Sequence, residues 1–216
     1  MTFSICVREE TEDGTVFGAG VATGAPAVGA LCPYVSADGV VCTQSFVNVR
    51  IGRRGVELLS DLAVDDAVAG LLAQDDHAEL RQAHGLDDRG SHVVYSGEGC
   101  DGWFGHRVAD DGDATAAGNM LANGETLDAM LDARTEPAED TVERLLNCLA
   151  AGQAAGGDGR GERSAAVNVW APQTTAYHDL RVDEHEDPIT ELRGVYERTK
   201  EASSDFSEES KSRIFD

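Results

Sequence analysis

The 216-residue chain predicts a layered α+β domain. Three observations lead there. Strand-like runs separated by Asp-Gly turns fill residues 3–43, apolar residues at helical spacing follow over residues 53–74, and further strand-like runs come after them.

The chain opens with a hairpin. Phe3, Ile5 and Val7 alternate with Ser4, Cys6 and Arg8, the polar stretch 9–14 ends in Asp13-Gly14, and Val16 to Thr23 reads as the second strand. Gly18, Gly20 and Gly24 weaken that strand but let a backbone or a ligand approach closely. The small-residue stretch from Gly24 to Ala30 is a connection or the wall of a site beside the N-terminus. Val35 to Thr43 forms two short strands turning at Asp38-Gly39.

Between Arg53 and Gln74, Val56, Leu59, Leu62, Ala67, Val68, Leu71 and Leu72 give two helices, with a break and a fresh N-cap at Val64-Asp65-Asp66. Leu80 to Leu86 and His92 to Ser96 form another hairpin. Residues 97–121, rich in Gly and Asp, read as a long loop, and such loops in compact domains are usually functional. Helices follow at 125–133 and 138–151, then the glycine-rich stretch 152–161 and an apolar strand from Ser164 to Trp170. Asp179 to Val182 is a last strand, and Asp187-Pro188 caps a last helix. These elements form one domain over residues 1–200, and the Ser-rich, acidic residues 201–216 read as a mobile tail.

Composition narrows the function classes. With 41% hydrophobic residues the chain can bury a substantial core. Its 40 Asp and Glu against 17 Lys and Arg leave a net charge of -23, which disfavours nucleic acid and anionic membranes as partners. Only Lys200 and Lys211 are lysines. An acid-rich, lysine-poor surface suits high salt, where the Debye length falls to about 3 Å at 1 M, and so predicts a halophile-type protein. Cys6, Cys32, Cys42, Cys100 and Cys148 are odd in number, form no C-x-x-C pair and follow no signal peptide, so a reducing cytoplasm is expected. No apolar run reaches the roughly 18 residues of a membrane span.

The residue with most chemical promise is Thr2. Small residues after an initiator methionine favour removal of Met1, and a threonine at a free N-terminus carries its own base, an α-amino group titrating near pH 8. On its own, Met-Thr is a common and silent beginning. Other constellations carry less. His77, His84, His92, His106, His178 and His185 show no metal-ligand spacing, so neither metal nor cofactor is expected. Ser164 lies in no G-x-S-x-G, and the glycine runs lack the Lys-Ser/Thr of a phosphate loop. His106 lines a site or satisfies the Trp103 loop.

Several blocks together resemble a known family. They are Met1-Thr2-Phe3-Ser4-Ile5, residues 21–30 (Val-Ala-Thr-Gly-Ala-Pro-Ala-Val-Gly-Ala), Thr43-Gln44-Ser45-Phe46 and Gly55-Val56-Glu57-Leu58-Leu59. Gly118-Asn119-Met120-Leu121, residues 156–161 (Gly-Gly-Asp-Gly-Arg-Gly) with Ser164-Ala165-Ala166, and residues 179–183 (Asp-Leu-Arg-Val-Asp) complete the set. In this order, over residues 2–198, the chain resembles the domain-of-unknown-function 1028 family, placed in the N-terminal-nucleophile (Ntn) hydrolase superfamily. It departs after Asn48, where members usually show Pro and then Tyr-Gly and this chain has Val49-Arg50-Ile51-Gly52.

The resemblance implies a four-layer αββα sandwich, two antiparallel sheets between helical layers. It implies that Thr2 attacks the carbonyl of a small amide substrate, peptide-like or not, with Asn119 as oxyanion donor. Asp158 would orient the N-terminal ammonium or a substrate amine, and Ser164 would hydrogen-bond the amine. Thr23, Gly24, Thr43, Gln44, Arg160 and His106 would line the substrate site. Arg54 and Arg181 are further sources of positive charge, since no lysine lies near Thr2 in sequence. The alternatives are a catalytically silent binding or assembly module and a homo-oligomer, a dimer in the simplest case.

Overall fold

A computed structural model describes residues 2–173 and 175–215. It is a mixed α+β structure with two antiparallel sheets and six α-helices among the described residues. Strands β1 (Thr2–Thr11), β2 (Gly14–Thr23), β7 (Trp103–Val108), β8 (Ala114–Leu121), β9 (Ser164–Trp170) and β10 (Asp179–Val182) build the larger sheet in the order β10-β9-β2-β1-β8-β7. Strands β3 (Pro33–Ser36), β4 (Gly39–Ser45), β5 (Arg81–Asp87) and β6 (His92–Ser96) build the smaller one in sequence order. The helices are α1 (Val49–Leu58), α2 (Val64–Leu72), α3 (Glu125–Arg134), α4 (Thr141–Ala154), α5 (Pro188–Ser204) and α6 (Glu208–Phe215).

The alternation in β1 sorts its side chains between two apolar environments. Phe3, Ile5 and Val7 share a cluster with Leu127 and Met130 of α3 and Leu145 and Leu149 of α4. Cys6 shares another with Val40, Cys42 and Leu86 of the smaller sheet, while Ser4 bonds to Gln44 and His84 there. A third cluster joins Val41 and Ala83 of the smaller sheet to Ile51, Leu59, Val68 and Leu72 around α1 and α2. The β2 glycines serve packing: a Cβ on Gly18 would come within 2.9 Å of Leu145, and one on Gly20 within 3.3 Å of Leu149, so their bareness admits α4.

Several expectations are corrected. Residues 97–121 are not one long loop, because 103–121 form the β7–β8 hairpin, with Asp110 to Asp113 in its connection. Ala-Thr-Ala-Ala-Gly-Asn has weak strand propensity, but pairing with β1 and β7 overrides it. Helix α2 begins at Val64 with Ala63 in the cap position, and Asp65 and Asp66 fall in its first turn. The capping carboxylate comes from β5, whose buried Asp87 accepts the Val64 N–H at 2.8 Å. Helix α4 starts at Thr141, capped by Asp140, and not at Ala138. Helix α5 runs through Lys200 to Ser204 and α6 follows, so the boundary placed at 200 falls within a helix. No helix among the described residues is long and apolar enough to cross a membrane.

Candidate functional site

Thr2 is the first residue of β1 and lies between two partners in the sheet, opposite Thr23 of β2 on one edge and Asn119 of β8 on the other. Its Oγ1 is 3.0 Å from the hydroxyl of Thr23, and Thr2 is partly exposed whereas Thr23 and Asn119 are buried. Met1, whose removal the sequence predicts, lies outside the described residues.

Asp158 stands across the end of β1. Leu121 pairs with Trp103 on its β7 edge and forms a bridge to Asp158, which therefore takes the β1 edge beyond Asn119. On the other side its Oδ2 accepts the Gly24 N–H at 2.7 Å. Arg160 supplies the counter-charge, with Nη2 3.2 Å from Oδ2 and its backbone N–H donating to Oδ1 at 2.9 Å. The hydrogen bond between the two side chains raises the pKa of the Arg160 guanidinium, which is half-exposed. Gly24 is required here, because a Cβ would meet Asp158 Oδ2 at 2.6 Å. Buried Glu162, which sequence reasoning passed over among so many acids, accepts the Asp158 N–H at 2.8 Å and the Gln153 amide at 3.0 Å.

Ser164 lies opposite Thr23 in the β2–β9 register, but its hydroxyl serves the 24–30 loop. It donates to the Ala25 carbonyl at 2.7 Å and accepts the Val28 N–H at 3.1 Å. The structure thus brings Thr2, Thr23, Gly24, Asn119 and Asp158 to one end of the larger sheet, while Ser164 ties down the adjoining loop. Arg181 pairs with Asp183, and Arg54 with Glu57, each on the exposed surface. Lys200 is engaged by Glu139, Asp140 and Tyr196 beside the start of α4, and Lys211 lies in α6.

Under this end runs a buried polar chain between the sheets. His84 has Nδ1 2.8 Å from Thr115 Oγ1 and Nε2 2.7 Å from Ser4 Oγ. Ser4 donates to Gln44 Oε1 at 2.7 Å, and Gln44 donates to Gln82 Oε1 at 2.8 Å. Asn119 Nδ2 donates to the same Gln82 oxygen at 3.1 Å. Burial pushes His84 down to about 3, so the ring is neutral. His106 of β7 has Nδ1 3.1 Å from Ser96 Oγ, and its pKa is lowered by burial first and by nearby His84 second. Thr43 Oγ1 is buried without a hydrogen-bond partner among the described residues. Gln82 escaped sequence reasoning and His84 was weighed only as a metal ligand, although two polar residues at alternate positions of a strand that turns out wholly buried are the signal that marks such a chain.

For metals, the ligand atoms of Cys6, Cys42 and His84 lie within 4.8 Å of one another in the core. Both ring nitrogens of His84 already have hydroxyl partners, and the thiol of Cys42, lowered by its hydrogen bond with Cys32 but raised by that with Cys6 and by burial, ends well above the ordinary thiol value. A cavity of about 790 Å³ lies at the opposite end of β1, beside Glu9, Glu10, Arg144 and His178, and is not lined by Thr2.

Three non-glycine residues have left-handed backbones among the described residues, Ala27 (φ 60°), Ser45 (φ 68°) and Met120 (φ 57°). Each adjoins this end of the molecule: Met120 follows Asn119, Ser45 follows Gln44, and Ala27 lies in the loop held by Ser164. Such strain gathers at functional sites.

Among solved structures, the crystal structure of a Silicibacter pomeroyi protein assigned to the DUF1028 family matches with a TM-score of 0.81 and 27% identity, covering 91% of this chain and 85% of that one. No curated protein matches the sequence. The family model described as "Family of unknown function (DUF1028)" matches residues 2–192, and the chain belongs to that family.

Proposed function

We propose that the chain is an Ntn amidohydrolase of cytoplasmic, halophile type, and that its two sheets and helices form a four-layer αββα sandwich. The three apolar clusters support the layering, since each lies where two successive layers of such a sandwich would meet. The observation that carries the functional reading is the setting of Thr2, a hydroxyl at a strand end between buried Thr23 and Asn119, with Asp158 across the strand's path.

With Met1 removed, the Thr2 hydroxyl attacks the carbonyl of a small amide and its proton passes to the α-amine. The C–N bond breaks as that proton reaches the leaving amine, and an ester on Thr2 remains. Water then cleaves the ester, releasing the acid and restoring the hydroxyl. Asn119 donates to the developing oxyanion, and the Asp158 carboxylate holds the ammonium form of the amine between turnovers. Arginine and backbone dipoles take the place of a lysine near the nucleophile.

Intact-mass measurement followed by a Thr2→Ala variant tests this. The expected results are a mass lacking one methionine and hydrolysis of a panel of small amides that falls at least about 10³-fold in the variant. Retained Met1, or unchanged turnover, removes the mechanism. A second reading, a silent binding module, holds if Met1 stays in place, since Thr2 then has no free α-amine to serve as its base. In that case the same amides bind without turning over.

A further inference from the structure

We propose that Gln82 is a positioning residue of this site, setting the side-chain amide of Asn119 so that it presents N–H and not C=O. The inference rests on the reading of Thr2 as nucleophile. An asparagine amide can be turned either way, and only one orientation stabilises an oxyanion. What decides the matter is a chain of constraints that begins at the backbone.

Gln82 Nε2 faces the backbone carbonyls of Gly118 at 2.9 Å and Gly105 at 3.1 Å, with Ser96 Oγ at 2.8 Å. Carbonyls only accept, so the atom of Gln82 facing them must be its NH2. Its oxygen then faces Gln44 and Asn119, and each must bring a nitrogen. Gln44 thereby turns its own oxygen to Ser4, which spends its one hydroxyl proton on that bond and accepts from His84 Nε2–H. Thr115 donates to the remaining ring nitrogen. Each bond along this chain then runs from a donor to an acceptor, and turning over any one amide sets like atoms against each other.

For Asn119 the result is specific. One N–H is committed to Gln82, and the second is uncommitted among the described hydrogen bonds, on a residue that pairs with Thr2 across the β1–β8 register. Gln82 is completely buried, so water does not supply a substitute partner.

The experiment uses p-nitrophenyl acetate as the acylating probe, with p-nitrophenolate release and the mass of acetylated Thr2 as readouts. Gln82→Met, close in volume but without an acceptor, is expected to lower the acylation rate constant about 10²-fold, the order of losing one oxyanion donor, with the half-saturating probe concentration unchanged. In an Asn119→Ala background the same substitution is expected to cost less than about threefold, because the two act through one amide. Full activity of Gln82→Met, or an equal loss in both backgrounds, overturns the inference. Independently of activity, the two amide protons of Asn119 should resonate apart in the native protein and draw together in Gln82→Met, and an unchanged pair overturns it as well. A wild-type protein that is not acetylated on Thr2, or that loses nothing on Thr2→Ala, fails the nucleophile reading instead, while the amide-proton result still decides the orientation.

Discussion

His84 is a neutral imidazole in a closed space, and that has an energetic consequence. Its pKa of about 3 lies below the ordinary value of 6.5 because burial disfavours the cation. The unfolded chain therefore binds a proton near pH 6.5 that the folded chain refuses, so stability is full above that pH and falls as pH drops toward 3. Between those limits this one residue should cost ~1.4 kcal/mol per pH unit, and His84→Gln should lose stability less steeply with acid. Denaturant titrations of both proteins between pH 6.5 and 4 check this, and parallel slopes would refute it. His106 and His178, also depressed by burial, act in the same sense and are common to both proteins. Asp75 contributes separately: Arg81 holds it well below the carboxylate range, so its contribution is lost only below about pH 4. At this scale the sequence offered candidates by type and family block. Thr2, Asn119 and Asp158 were legible as such, whereas Gln82 and Glu162 became visible only once the strands that bury them were paired.

Among the elements, α2 and the β5–β6 hairpin are joined by a single carboxylate. Asp87 Oδ2 caps Val64, while its Oδ1 accepts the N–H groups of Arg89 at 3.0 Å and Ser91 at 2.8 Å. One residue thus closes a helix and a turn distant in sequence. Asp87→Ala should lower stability by about 2 kcal/mol or more, since it removes a cap and leaves the buried Val64 N–H and two turn N–H groups without their acceptor. Asp65→Ala, in the first turn, should cost only a few tenths. Chemical denaturation of the two variants tests the assignment, and a reversed ranking would contradict it. Helices with clear apolar spacing were legible in sequence to within a few residues. Strand β8 was not, because a strand covered on both faces by its neighbours tolerates Ala and Gly where local preference argues for a loop.

For the molecule as a whole, the net charge of -23 is the dominant long-range term. Self-repulsion among so many acids is relieved when salt shortens the Debye length, so we propose that melting temperature rises with KCl from 0.1 to 2 M. At ~2–4 °C per kcal/mol, relief of a few kcal/mol gives a rise on the order of 10 °C. A midpoint that stays or falls would remove the halophile reading. The α+β class was legible from the block order of strands and helices. Sheet order was not, because β1 pairs with β8 across more than a hundred residues and nothing local announces it. The arrangement at the head of β1 bears on how the protein is made in the laboratory. Asp158 occupies the edge of Leu121 that a chain running on ahead of Met1 would need. An affinity handle fused there could not extend β1 along β8 without displacing a buried acid and its arginine, while one fused after α6 leaves that edge alone. Protein purified by its head and protein purified by its foot would be two different reagents.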